Sequence, residues 1–155
     1  MGTASHSIIL KVQEVYYSND KIHLVSNSLK GTHVCLAELS NTLDESQITV
    51  ILEKLLQMCV KLHSDGITVC NLHPNNIFID EDYPEDVLVT DVGFAYIPEM
   101  LPETQLQTLF QAPEIREKTG IELEKVVREA RGNADLYSIC KIAEFLLCGH
   151  LDYSA

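Results

Sequence analysis

The side chains with the most obvious capacity for chemistry lie near the middle of the sequence. Cys70 and His73 are three residues apart, and a thiolate and an imidazole are both good zinc ligands. A structural zinc site needs further ligands, yet no second Cys/His pair accompanies this one. The spacing therefore does not favour a zinc site at this pair.

The five cysteines indicate free thiols rather than a disulfide framework. Their number is odd, and no two of them form a C-x-x-C pair. Free thiols are typical of a reducing compartment. The first residues also lack the basic start and the apolar stretch of a signal peptide. We therefore expect a cytoplasmic protein, with the nucleus as the alternative.

The charge balance limits the partners of the chain. Lys and Arg total 11 against 23 Asp and Glu, which gives a formal net charge of −12. Because phosphate backbones and anionic lipid surfaces are held by basic side chains, we expect neither nucleic acid nor a membrane as partner. The acidic run 80–86 is predicted to be a solvated loop, with a docking patch for a basic partner as the alternative.

The elements that must position these residues follow an α+β order. At 155 residues the chain suits one domain with a proper core. Periodicity predicts a helix over about 46–64, preceded by a capping-box frame that starts at Thr42 and ended by Asp65-Gly66. The other predicted elements are a hairpin with a three-residue loop, three short strands and two helices: 8–17 with 21–25, 67–69, 77–79, 87–89, 123–130 and 134–148.

The stretch 62–95 carries a family resemblance. It reads LHSDGITVCNLHPNNIFIDEDYPEDVLVTDVGFA and resembles the catalytic loop and metal-binding segment of eukaryotic protein kinases. In the same order, QAPE at 111–114 resembles the A-P-E motif, and NADLYS at 133–138 resembles the start of the central helix of the larger lobe. The resemblance implies a single truncated kinase-like domain, 1–155. In it, 8–31 ends the small lobe and hinge, and 32–155 forms part of a mainly helical large lobe.

The departures from the family pattern affect the catalytic positions. In the family, an Asp of the catalytic loop accepts the proton of the substrate hydroxyl, and the resemblance places Asn71 there. A neutral amide cannot accept that proton at pH 7. The loop Lys is replaced by His73, and the Arg that pairs with a phosphorylated activation loop is replaced by Cys70. The chain also begins at about strand four, so it lacks the Gly-rich loop and the strand-three Lys.

Several other positions keep the family residue or stand where the family binds a ligand. The resemblance implies that Asn76 and Asp91 are the remaining metal ligands and that Phe78 lies beneath the adenine. It implies structural roles for two more. Asp135 should bond backbone amides of the catalytic loop, and Glu114 should pair with an arginine, either Arg116, Arg128 or Arg131.

These features predict a catalytically inactive kinase-like domain that works by protein binding, as a scaffold or a regulator of a kinase. We expect no cofactor, with ATP and Mg²⁺ as the alternative. Two other functions stay open: a nucleotide or Mg²⁺ switch without phosphotransfer, and a fragment of an active serine/threonine kinase. The apolar helix 134–148 and the unpaired hairpin edge predict a protein partner, which could be a kinase, or self-association.

Overall fold

The computed structural model describes residues 8–92, 109–116, 125–126, 129 and 132–149. In this part of the chain, two strand groups alternate with two long helices, which confirms the α+β class. The elements in chain order are β1 Val12–Ser18, β2 Lys21–Ser26, β3 His33–Cys35, α1 Glu45–Ser64, β4 Ile77–Asp80, β5 Val87–Val89, α2 Pro113–Arg116 and α3 Asn133–Cys148. Short 3-10 turns cover Leu36–Leu39 and Pro74–Asn76. Most of the predicted helix 123–130 lies outside the described residues.

The hairpin β1–β2 is antiparallel and turns in two residues, not in the three that were predicted. Ser18 pairs with Lys21, and both turn residues are left-handed, Asn19 at φ 51° and Asp20 at φ 57°. Asn and Asp tolerate this conformation, which gives the type I′ turn that suits the twist of a hairpin. The first residues of the predicted strand 8–17 are not part of the hairpin. The main chains of Ile8 and Leu10 instead form hydrogen bonds with the main chain of Val89 in β5.

The remaining strands form an antiparallel sheet in the order β3-β4-β5. Two predicted strands, 77–79 and 87–89, are confirmed within one residue, and β3 was not predicted. The predicted strand 67–69 is wrong. Its Val69 N–H donates to the Asp135 carboxylate rather than to a neighbouring strand.

Helix α1 begins two residues later than the capping frame indicated. Asp44, not Thr42, is the N-cap. Its carboxylate accepts from the Gln47 N–H at 2.9 Å, and the Gln47 side chain accepts from the Asp44 N–H at 2.9 Å. The end is as predicted, since Gly66 takes φ 76° after the last turn. Helix α3 also has the predicted bounds within one residue and ends at Gly149, with φ 72°.

The core combines the face between α1 and α3 with buried side chains of the three-stranded sheet. Its completely or almost completely buried members come from all of these elements: Leu36, Ile51, Leu55, Leu72, Ile77, Ile79, Val89, Phe110, Ile142 and Leu146. No residue of the hairpin β1–β2 belongs to it. No described helix combines the length and the apolar character that a bilayer crossing requires.

Candidate functional site

The loop between α1 and β4, residues 67–76, is anchored by one buried carboxylate. Asp135, in the first turn of α3, is completely buried. Its Oδ2 accepts from the Val69 N–H at 2.8 Å, and its Oδ1 accepts from the Cys70 N–H at 2.7 Å. Cys70 itself is left-handed, with φ 56°, a conformation that costs a residue other than glycine. Asp135 therefore holds the loop in a bend, at the amides where the kinase resemblance placed its bonds.

His63 is a further partner of the Asp135 carboxylate. This contact was not predicted from the sequence. The His63 Nε2 atom lies 2.8 Å from Asp135 Oδ2, although the two residues are 72 positions apart. The sequence showed only a histidine at the end of a helix, where a positive charge is favourable. Gly132, at φ 88°, lies against the same ring, and a Cβ at this position would overlap it. Three elements thus meet at this carboxylate: the end of α1, the loop and the start of α3.

Cys70 is a packing residue in this arrangement. Its side chain is buried with Ala112, Ile115 and Ala134. Burial raises the pKa of the Cys70 thiol far above its usual value, and the nearby carboxylates of Asp135 and Glu114 add to the shift. A neutral, inaccessible thiol neither attacks a substrate nor binds a phosphate. Within the described residues, no cluster of potential metal ligands contains Cys70 or His73.

His73 offers no positive charge to the loop at neutral pH. It is only 3% exposed, and burial lowers the pKa of its imidazole from 6.5 to about 4. The buried ring is therefore neutral at pH 7. Asn71, in contrast, is half-buried, and its main-chain oxygen accepts a bond from Asn76 Nδ2 at 3.2 Å. No base and no cation stand at these two positions.

The two candidate metal ligands lie at the same end of adjacent strands. Asn76 comes just before β4, and Asp91 comes two residues after β5. The Thr90 N–H donates to the Asn76 main-chain oxygen at 2.8 Å, which ties the strand ends together. Asn76 is buried and uses its amide N–H₂ on Asn71, so its side-chain oxygen remains as an acceptor. Asp91 is exposed and left-handed, with φ 57°. One carboxylate and one amide oxygen fit a weak Mg²⁺ site completed by water or phosphate oxygens.

The last two predicted positions, Phe78 and Glu114, are not part of the loop 67–76 itself. Phe78 is half-buried in the middle of β4, paired with Cys35 in β3 and with Leu88 in β5. Glu114 is exposed in α2. Among the residues that the structure describes, the predicted partner Arg116 instead donates to two main-chain oxygens and to the Tyr137 hydroxyl: Nε to Gln111 O at 2.9 Å, Nη2 to Leu109 O at 3.3 Å and Nη2 to Tyr137 Oη at 3.2 Å. The other two predicted partners, Arg128 and Arg131, lie outside the described residues.

The fold and this loop define a protein kinase domain. The family model of the protein kinase domain matches residues 1–154, and the chain belongs to this family. The kinase-like fold expected from the sequence is thereby confirmed.

Two similar proteins carry the name serine/threonine-protein kinase. CBL-interacting serine/threonine-protein kinase 5 of Arabidopsis thaliana is 26% identical over 159 residues, which cover 99% of this chain and 34% of that protein. The probable serine/threonine-protein kinase fhkC of Dictyostelium discoideum is 30% identical over 151 residues, which cover 93% of this chain and 24% of that protein. The chain thus spans about a third or less of the length of these two relatives. The crystal structure of Rad53 1-466 in complex with AMP-PNP matches with a TM-score of 0.70 and 22% identity, over 99% of this chain and 37% of that one, a likeness of fold alone.

Proposed function

We propose that this domain is a catalytically inactive member of the protein kinase family that acts through protein–protein binding, as a scaffold or as a regulator of a kinase. The observation that carries the proposal is Asn71, an amide where the family uses a carboxylate as the base. An amide can orient a hydroxyl by hydrogen bonding, but it cannot take up the proton that transfer releases.

The electrostatics of the loop support the loss of transfer. Phosphoryl transfer depends on positive groups that neutralise charge developing on the transferred phosphate. At the loop Lys position, His73 is buried and neutral at pH 7. At the Arg position, the Cys70 thiol is packed against Ala112 and Ile115 and faces no solvent. The loop therefore offers neither a carboxylate base at Asn71 nor a positive charge at His73 or Cys70.

The hairpin supports the protein-binding part of the proposal. Its apolar side chains are exposed on both strands: Val12, Val15, Tyr16, Tyr17, Ile22, Leu24 and Val25, at 38–69%. Contiguous apolar surface of this kind marks an interaction site more often than a solvated face. Both outer edges of a two-stranded sheet also leave backbone groups available for pairing. A protein that covers the hairpin, a kinase being one candidate, or a second copy of the chain would bury this surface.

Two alternative functions have an observation in their favour. Asn76 and Asp91, at adjacent strand ends, support a Mg²⁺–nucleotide switch without transfer. The names of the relatives and the partial coverage of their length support a fragment of an active serine/threonine kinase.

A phosphotransfer assay separates inactivity from activity. We expect radiolabelled ATP with Mg²⁺ and generic acceptor peptides to give only background label. Turnover by the parent chain that disappears in Asn71→Ala would contradict the proposal. Thermal unfolding with ATP and Mg²⁺ tests the switch, because a ligand of the native state raises its stability. A rise that Asp91→Asn abolishes would favour the switch, whereas no rise supports a binding domain without nucleotide.

Two matched variants test the binding surface. Val15→Lys places a charge on the hairpin, and Val60→Lys makes the same exchange on the exposed side of α1, where Val60 is 71% exposed. We expect Val15→Lys to reduce hydrophobic-dye binding and concentration-dependent light scattering, and Val60→Lys to change neither. A parent chain that stays monomeric and does not bind the hydrophobic dye would contradict the proposal that the hairpin is a binding surface.

A further inference from the structure

A second group of polar side chains lies away from the kinase-like loop, where β3 runs beside β4. His33, the first residue of β3, is paired across the sheet with Asp80, the last residue of β4. Asp86 precedes β5, and its main-chain oxygen accepts from the Asp80 N–H at 3.2 Å. One potential ligand atom from each of the three side chains lies within 4.8 Å of the other two. The group is therefore compact enough for one ion.

The state of His33 is what distinguishes this group from an ordinary acidic turn. Its side chain is completely buried, and neither Nδ1 nor Nε2 has a hydrogen-bond partner. Buried polar atoms are nearly always bonded, since losing water without compensation is costly. The Asp86 Oδ2 atom lies 3.9 Å from Nε2, too far for a direct hydrogen bond. An ion between the imidazole and the carboxylates would satisfy the buried nitrogen.

The carboxylates are already oriented by their neighbours. The Thr32 hydroxyl donates to Asp80 Oδ2 at 2.8 Å, and the Asp82 N–H donates to Oδ1 at 3.0 Å. The Tyr83 N–H also donates to Oδ1, at 3.3 Å, whereas Oδ2 keeps a second lone pair through which Asp80 can bind a cation. Such supporting bonds are what fix a ligand before the metal arrives. Asp80, predicted to belong to a solvated loop, is in fact buried at 4% exposure.

The Asp86 carboxylate is paired with the ammonium of Lys30, which a metal ion would have to displace. Lys30 Nζ lies 2.5 Å from Asp86 Oδ2, and the Lys30 side chain is 66% exposed. An exposed ion pair of this kind contributes little free energy, so a divalent ion would displace the ammonium readily.

We propose that His33, Asp80 and Asp86 bind one divalent transition-metal ion of the zinc class. The imidazole nitrogen selects Zn²⁺-like ions over Mg²⁺ and Ca²⁺, which prefer oxygen ligands. Three protein ligands leave a coordination position for water, on the side where Asp86 reaches solvent. The ion would tie the start of β3 to the β4–β5 turn and would stabilise this end of the sheet.

A second compact cluster among the residues that the structure describes, Cys59, His63 and Asp135, is a weaker metal site. His63 and Asp135 already bond each other, and Asp135 also serves two buried amides. Burial also raises the pKa of Cys59 to about 12, so its thiol resists the deprotonation that zinc requires. This cluster serves as the internal control for the test.

Zinc titration of the chelator-treated, reduced chain by calorimetry tests the proposal. We expect saturable binding of one Zn²⁺. Asp86→Asn should weaken binding by about 100-fold, since even supporting residues of metal sites cost 10–100-fold. Glu85→Gln removes the same charge from the adjacent exposed position and should leave affinity within about twofold, as an exposed, non-ligating charge. Lys30→Gln should tighten binding by about 2- to 5-fold, because the competing ion pair is gone.

Cobalt substitution identifies the ligands independently. A site of one imidazole and two carboxylates gives Co²⁺ visible d–d bands without the near-ultraviolet charge-transfer band of a thiolate. We expect this spectrum in the parent chain and in Cys59→Ala, and its loss in Asp86→Asn and in a folded His33→Gln. Absence of saturable zinc binding, equal binding by Asp86→Asn and Glu85→Gln, or a thiolate band lost in Cys59→Ala would overturn the proposal.

Discussion

Replacing Asp135 by alanine should remove the bond that shapes the kinase-like loop. The carboxylate is completely buried and accepts from three donors, the Val69 and Cys70 amides and the His63 ring, at 2.7–2.8 Å. In the alanine variant, both amides stay buried without a partner, and each costs about 1–3 kcal/mol. The expected loss is therefore about 2–6 kcal/mol, a large share of the 5–15 kcal/mol that typically stabilises a domain.

Urea unfolding followed by circular dichroism measures this loss. We expect a lower midpoint for Asp135→Ala at unchanged slope, which reports stability rather than a change in compactness. His63→Ala removes only one donor and leaves both amide bonds, so it should cost about 1 kcal/mol. Asp82→Ala removes an exposed carboxylate and should stay within about 0.5 kcal/mol of the parent.

Two results would refute this reasoning about Asp135. If the midpoints of Asp135→Ala and the parent coincide, the carboxylate does not serve the amides. If His63→Ala costs as much as Asp135→Ala, the ring contact rather than the loop amides carries the stability. Should the alanine variant fail to fold, Asp135→Asn keeps one acceptor oxygen and should give a measurable, smaller loss.

Three further outcomes can be measured on the same chain. Gly132→Ala should lower the free energy of unfolding in urea by about 2 kcal/mol or more, since the new Cβ overlaps the His63 ring in addition to the left-handed penalty, whereas Gly66→Ala at φ 76°, with open space around it, should cost only about 1 kcal/mol. Combining Gly132→Ala with His63→Ala should remove the extra cost of the overlap. Simple additivity of the two single variants would argue against the overlap. His73, whose folded pKa is lowered to about 4, takes up its proton only on unfolding, so stability should fall by about 3 kcal/mol as pH drops from 7 to 4. His73→Gln should flatten that part of the pH profile, and an unchanged slope would exclude His73 as its source. Asp44→Ala removes the N-cap of α1 and should lower the free energy of unfolding by about 1 kcal/mol, with a null effect showing that the cap is not formed in solution.

Local sequence predicted the parts of the fold that depend on near neighbours. The bounds of α1 and α3 followed from apolar periodicity and from glycine at the ends, because one helical face must be buried and a left-handed residue closes the last turn. At the start of α1 two local signals compete, and the cap indicated by the frame at Thr42 is wrong. Thr42 and Asp44 are both good caps, and only the pairing of Asp44 with Gln47 decides between them.

Long-range contacts decided what the local pattern did not contain. The apolar stretch 67–69 has the composition of a strand, yet its Val69 amide donates to a carboxylate 66 positions further along the chain. Strand β3 has three residues and exists only because β4 offers it a pairing edge. The partner of His63 was likewise invisible to any argument from helix ends.

The sequence by itself determined the family and the residue at position 71, where an amide instead of a carboxylate underlies the proposed inactivity. Tertiary structure alone decided the ionisation of His73, since burial rather than residue type removes its charge. It also decided that His33 meets Asp80 and Asp86, residues about 50 positions away. Strand register sets which side chains face each other, and register follows from the packing of the whole sheet rather than from any one segment.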